Sequence, residues 1–228
     1  MPAPSPREAL RADQRRRLLN AMATVLARDG FHGARIQDIA REAKVSLRTF
    51  YAEFDTKEQC FLELHEELVD QAILAVSRSL DFSQPWKEVM RQGFAIYYRA
   101  MAAFPKTTRA VSIELATLSD EARRQRDETM ERFGTMIVDL VERGRALHPD
   151  IPSQPLSPLM ARGLIGGITE LVDRSVVHDE IDRLPELVDL TAEMLWRLVT
   201  HVEPANAESP PKAGESGVDT GPGGDLRR

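Results

Sequence analysis

Apolar residues fall three and four apart along nearly the whole chain, and no run reads as a strand. Leu18, Met22, Val25 and Leu26 form one such stripe; Leu187, Leu190, Met194, Leu195 and Leu198 form another. A spacing near 3.6 buries one face of a helix, whereas a half-buried strand needs a period of two. The expected fold class is all-α.

Glycine, proline and cap residues divide the pattern into segments. A first helix is expected over about 11–29, closed by Gly30, and a short second one over 36–43. Ser46 caps a third, over 47–54, with Phe50 and Phe54 one turn apart on a buried face. Asp55, with Glu58 three residues on, reads as an acidic analogue of the capping box and opens a long fourth helix to about residue 80. Breaks at Gln84-Pro85, Phe104-Pro105, Leu118-Ser119, residues 148–158 and residues 182–185 leave five more, about nine helices in all. Residues 1–10 read as a flexible N-terminal arm. Residues 203–228 are rich in Pro, Gly and small polar residues, without aromatics or Ile, and read as a disordered tail.

With 228 residues, 42% of them hydrophobic, the chain can bury a sizeable core without staples. Cys60 is its only cysteine, so an internal disulfide is impossible and a reducing cytoplasm is the expected compartment. Neither a signal peptide nor a membrane span is expected, because no apolar stretch backs the basic N-terminal residues and nowhere do eighteen apolar residues run on. Charge is unevenly spread. Residues 1–60 hold eleven Lys and Arg against eight Asp and Glu, a net of +3. From totals of 30 and 36, that leaves 19 against 28 beyond, a net of −9, so the two parts should have different partners.

In the basic part, the short helices at 36–43 and 47–54, joined through Lys44-Val45-Ser46 and supported by a longer helix, form a helix-turn-helix pattern. A reader helix needs an apolar face for attachment and a face of hydrogen-bonding side chains for bases and phosphates. Phe50 and Phe54 supply the first, and Leu47, Arg48, Thr49 and Tyr51 the second. The stretch DGFHGARIQDIAREAKVSLRTFYAEFDTKEQC resembles the N-terminal DNA-binding domain of the TetR family of transcriptional regulators. The resemblance rests on Gly30, Phe31, Ile36, Asp38-Ile39-Ala40, Ala43, Val45-Ser46, Thr49, Tyr51, Phe54, Lys57 and Glu58. It implies a helix-turn-helix domain over 11–55, followed by a helical ligand-binding and dimerisation domain over 56–202. It also implies that Gln37, Leu47, Arg48 and Thr49 face the DNA groove, with Tyr51 and Lys57 on the phosphate backbone. The chemistry suits those places: arginine can pair bidentately with guanine, glutamine with adenine, and the Leu47 side chain or Thr49 methyl can meet thymine methyls.

The sequence also departs from the family pattern. Lys44 stands where the turn normally has Gly, and Arg48 where a small residue is common. Ala34-Arg35 replaces hydroxyl residues that cap the second helix, and Glu53 puts a negative charge where an aromatic or histidine is frequent. The Arg15 to Arg17 run reads as a solvated helix face. Cys60 and His65 are five apart on a helix and point different ways, which argues against a nucleophile pair. The five histidines are scattered without metal-ligand spacing. No catalytic residue, metal or cofactor is expected.

The acidic half carries FAIYYRAMAAF, with Phe94, Tyr97, Tyr98, Met101 and Phe104 at helical spacing. The resemblance implies that these line a cavity, together with Met136 and with Ile137, Ile165 and Ile168 completing an apolar wall. Ala161, Gly163, Gly166 and Gly167, small residues on one long helix, fit a symmetric four-helix interface with the stripe at 184–199. The expected function is a ligand-responsive transcriptional regulator, a repressor by default. It would bind a palindromic double-stranded DNA operator as a homodimer and release it when a small, mostly apolar molecule enters. The alternatives are an activator or ligand-independent regulator, or a helical enzyme or protein-interaction module.

Overall fold

The computed structural model describes residues 5–201, and the segments at 1–4 and 202–228, with the expected tail, lie outside the described residues. Among the described residues there is no strand. The helices are α1 (Pro6–Gly33), α2 (Ile36–Glu42), α3 (Leu47–Glu53), α4 (Lys57–Ser79) and α5 (Trp86–Ala103). Then come α6, running unbroken through Pro105–Arg109, Ala110–Glu114 and Leu115–Leu118, α7 (Asp120–Leu147) and α8 (Pro158–Val177). A 3₁₀ turn, Ile181–Leu187, leads into α9 (Val188–Thr200). The expected nine helices are all present.

Two ends differ from expectation. Residues 6–10 are helical rather than an arm, because Ser5 and Glu8 form a reciprocal capping box and Pro6 suits the first helical position. The helix proper breaks at Gly30, whose φ of 72° only glycine adopts without cost. At α4 the cap is Thr56, whose hydroxyl accepts the Gln59 amide at 3.1 Å; Asp55 instead donates its own amide to the Gln59 side chain.

Two apolar cores result. Leu18, Met22, Val25 and Leu26 of α1 meet Ile39, Phe50, Phe54, Cys60 and Phe61, and this core takes in Ala110 and Leu115 of α6. The second gathers Trp86, Phe94 and Tyr98 of α5 with residues of α7, α8 and α9, among them Val141, Ile168 and Leu195. Burying a side chain of this size stabilises by about 1.5–3 kcal/mol, so both cores are substantial.

Two helices link the cores, α4 through the wall of an apolar cavity and α6 through its own side chains. The N-terminal half of α4 packs Cys60, Phe61 and Leu64 into the first, while Val76 near its other end reaches the second domain. In α6 the middle turn is π-helical, and Ala110 and Leu115 face the first core while Ile113 packs on the second. Polar ties cross the same joint: Gln125 Nε2 donates to the Leu62 carbonyl at 2.7 Å, Ser119 donates to Glu58, and Lys106 donates to the Arg28 carbonyl.

Candidate DNA-reading helix and effector cavity

Helix α3 is divided cleanly by burial. Phe50 is fully buried and Phe54, at the C-cap, is 2% exposed. On the outer side Leu47 is 43% and Tyr51 55% exposed, with Arg48 exposed between them. Two large side chains, Leu47 and Tyr51, thus stand in solvent beside an arginine with no ion-pair partner among the described residues. Ser46 caps the helix by accepting the Thr49 amide at 3.1 Å, and its hydroxyl meets that of Thr49 at 2.9 Å, which orients Thr49 at the first turn. Gln37 is exposed on α2. Five of the six expected contact residues therefore sit on or beside one open surface.

Lys57 is the exception. Its ammonium turns inward and donates to the Phe31 carbonyl at 2.7 Å and the Ala34 carbonyl at 2.9 Å, over the Phe31 ring at 4.2 Å. Burial pushes its pKa below the ordinary lysine value, with Glu114 opposing. The α1–α2 connection leaves carbonyls that no helix satisfies, and Lys57 is the donor within reach. It braces the reader unit against α4.

The unusual residues of the turn have structural partners. Lys44 adopts φ 54°, the left-handed conformation for which glycine is the ordinary choice. Arg17 reaches across from α1 and donates to the carbonyls of Ala43 and Lys44, the latter at 2.9 Å. Glu53 does not confront the DNA side: its side chain is only 4% exposed and pairs with Arg11 at 2.9 Å. Arg15 lies over Phe54 at 4.4 Å and binds Glu63 and the Glu53 carbonyl. Two of the three arginines read as a solvated face are thus internal braces, while Arg16 pairs only with Asp13 on its own helix.

The second domain contains an apolar cavity of about 80 Å³. Phe94, Tyr97 and Met136 line it, as do Ile137, Ile165 and Ile168. Tyr98, Met101 and Phe104 do not. Tyr98 is fully buried in the core, Met101 packs against that core, and Phe104 is 58% exposed at the end of α5. The cavity lies earlier along α5, on the stripe Trp86, Val89, Met90, Gly93, Phe94, Tyr97. That stripe is legible in the sequence as i, i+3, i+4, i+7, i+8, i+11, ahead of most of the aromatic stretch FAIYYRAMAAF. Val76 and Leu80 complete the wall from the end of α4.

Cys60 and His65 make no chemical pair. Burial pushes the Cys60 thiol up to about 12 and the His65 imidazole down to about 4, so each is buried in its neutral form. Among the described residues no group of His, Cys, Asp and Glu is arranged to hold a metal, and no helix is long and apolar enough to cross a membrane.

A three-helix unit containing a helix-turn-helix is joined through α4 and α6 to a domain that holds an apolar cavity. Residues 18–64 match the family of bacterial regulatory proteins described as tetR family. The chain therefore carries a TetR-type helix-turn-helix segment over those residues. It is 23% identical over 179 residues to the fatty acid metabolism regulator protein of Bacillus subtilis, covering 78% of this chain and 91% of that one. The fold matches that of Bacillus subtilis FadR in complex with stearoyl-CoA with a TM-score of 0.64, at 22% identity, over 82% of this chain and 99% of the other. It also matches Thermus thermophilus FadR, a transcriptional repressor in complex with lauroyl-CoA, with a TM-score of 0.64, at 21% identity, over 88% and 100% of the two chains.

Proposed function

We propose that this protein is a cytoplasmic repressor that binds a palindromic operator as a homodimer and leaves it when a small, mostly apolar molecule occupies the cavity. The reader assignment is carried by the exposed Leu47, Arg48 and Tyr51 on a helix whose other face is fully buried, inside the segment that matches the family. Arg48 reads a guanine, Gln37 and Thr49 contribute neighbouring contacts, Leu47 meets a thymine methyl, and Tyr51 holds a phosphate. Lys57 acts indirectly, by fixing the reader unit. Regulation rather than catalysis is also favoured by the relatives, which are regulators.

Dimerisation is assigned to α8 and α9. Gly163 and Gly166 have nothing within 4 Å of where a Cβ would stand, and Leu159 at 79%, Val177 at 64% and Leu190 at 50% exposure are apolar and uncovered. Ala161 is not part of that face, since it is fully buried and packs toward Gly134 of α7. A second copy would cover the exposed residues by a symmetric contact.

Release follows from size. The cavity is well below the roughly 300–1,000 Å³ of typical ligand sites, so a ligand of more than a few carbons must part its walls. Methionines 90, 130 and 136, which line it, can re-pack readily. Because α4 puts Val76 and Leu80 in that wall and Phe61 and Leu64 in the reader core, expansion at one end tilts the other. Two reader helices must sit about 34–36 Å apart, or a multiple of that, to enter successive major grooves, so a small tilt suffices. A coupling of about 1–3 kcal/mol is expected. Relatives crystallised with stearoyl-CoA and lauroyl-CoA favour an effector with an elongated apolar part.

The test is selection of DNA from a random pool by the purified protein, followed by Arg48→Ala. The variant should lose about 1–3 kcal/mol of specific affinity and relax preference at one base position. An unchanged consensus and affinity would remove the reader helix from its role.

A further inference from the structure

The cavity wall is apolar, but two crevices that share residues with it are not. Met136 and Leu140 are shared with a crevice between α4 and α7, where Glu128, Glu131 and Asp139 face a single arginine, Arg132. Met130 and Thr169 are shared with a second crevice, between α7 and α8, where Asp127, Glu170 and Asp173 face Arg126 alone. Neither arginine is free: Arg132 pairs with Asp70 and Arg126 with Asp173 at 3.1 Å. Arg162 takes up Asp127 and Glu131, which leaves Glu128, Asp139 and Glu170 without ion-pair partners among the described residues. A polar head reaching either crevice meets surplus negative charge.

Asp173 adds a specific acceptor. Arg126 occupies only its Oδ2, while Oδ1 is buried with no hydrogen-bond partner. A buried carboxylate oxygen without a donor costs stability, and a ligand that donates to it recovers that cost. Burial raises the pKa of Asp173, in the direction expected of a carboxylate short of donors. The aromatic rings of Tyr97 and Phe133, 5.8 Å apart in an edge-to-face pair, line the same cavity.

We propose that the effector is a cationic amphiphile, with an apolar body among Trp86, Phe94, Tyr97 and Met136 and a protonated amine donating to Asp173 in the α7–α8 crevice. The proposal rests on the cavity being the effector site. It sets this chain apart from relatives crystallised with acyl-CoA, whose phosphates would be repelled at both crevices.

Matched eight-carbon probes separate the possibilities. Octylamine, 1-octanol, octanoate and octanoyl-CoA are titrated into the full-length protein by calorimetry. Octylamine should bind about tenfold or more tighter than octanol, with octanoate and the CoA thioester weakest. Asp173→Asn should bring octylamine to the level of octanol while octanol affinity stays unchanged. Glu170→Gln, which leaves the Arg126 pair intact, should reduce the amine preference partially, and added salt should shrink it in the wild type. Octanoate or octanoyl-CoA binding as tightly as the amine overturns the proposal, as does an amine preference indifferent to Asp173→Asn, Glu170→Gln and salt. Octanol binding without amine preference refutes the head-group assignment but keeps the cavity. Failure of all four probes refutes the effector site itself.

Discussion

Gly144 offers a test in which helix propensity and packing predict opposite signs. It is buried on α7, and a Cβ built there would lie 2.0 Å from Nε1 of Trp86, 2.5 Å from Cε2 and 2.6 Å from Cδ1. Ordinary contact lies near 3.5 Å, so the indole would have to retreat by about 1.5 Å. It has little room, being 2% exposed, stacked on His148 at 6.3 Å and set edge-on to Trp196 at 5.8 Å. The open side is the cavity, which Trp86 lines. Alanine in place of glycine favours a helix interior by about 1 kcal/mol, whereas overpacking of this severity costs about 1–3 kcal/mol. Gly144→Ala should therefore lose up to about 2 kcal/mol net and also narrow the cavity. Gly93→Ala is the control. Its Cβ meets Leu80 and Val76 at 3.7 Å, an ordinary contact, so propensity wins and stability should rise by about 0.5–1 kcal/mol. Urea denaturation followed by tryptophan fluorescence reads both, since the chain has only two tryptophans, Trp86 and Trp196. If Gly144→Ala proved as stable as Gly93→Ala with unaltered native fluorescence, the packing around Trp86 would not be as described.

Two further predictions concern single residues. Lys44→Gly removes a left-handed strain of about 1–2 kcal/mol against a glycine entropy cost of about 0.4–1 kcal/mol, so a net gain of about 0.5–1 kcal/mol in thermal unfolding is expected, and a loss would refute the strain argument. His65, held neutral with a pKa near 4 in the fold against 6.5 unfolded, makes the unfolded chain the better proton binder between those values. Stability should therefore decline by up to about 3 kcal/mol as pH falls from 6.5 to 4 and not fall further on its account. His65→Phe should flatten that slope, which equilibrium unfolding across the range will measure.

Local patterns carried the helices a long way. Nine periodic segments, their proline and glycine breaks, and the Ser46 cap are nearest-neighbour matters, and each is where spacing and side-chain chemistry put it. The start of α4 is different: the expected Asp55 cap gives way to the Thr56 hydroxyl, which reaches the Gln59 amide. The outer face of α3 was legible only in part: at about 100° per residue Arg48 lies opposite Phe50, whereas Leu47 and Tyr51 flank it and are left open by what packs on the helix.

What the chain by itself determined is therefore the all-α class and the helix-turn-helix, both set by periodicities within a few turns. What only the tertiary structure decided is how side chains are used once helices cross. Arg15, Arg17, Glu53 and Lys57 look like surface charges in sequence, yet each finds its partner 23 to 48 residues away and becomes a brace. The cavity likewise moved along α5, because whether an apolar side chain fills a core or lines a void depends on what opposes it across the bundle. Tyr98 and Tyr97 are adjacent in sequence and equal in chemistry; packing alone put one in the core and the other on the cavity wall.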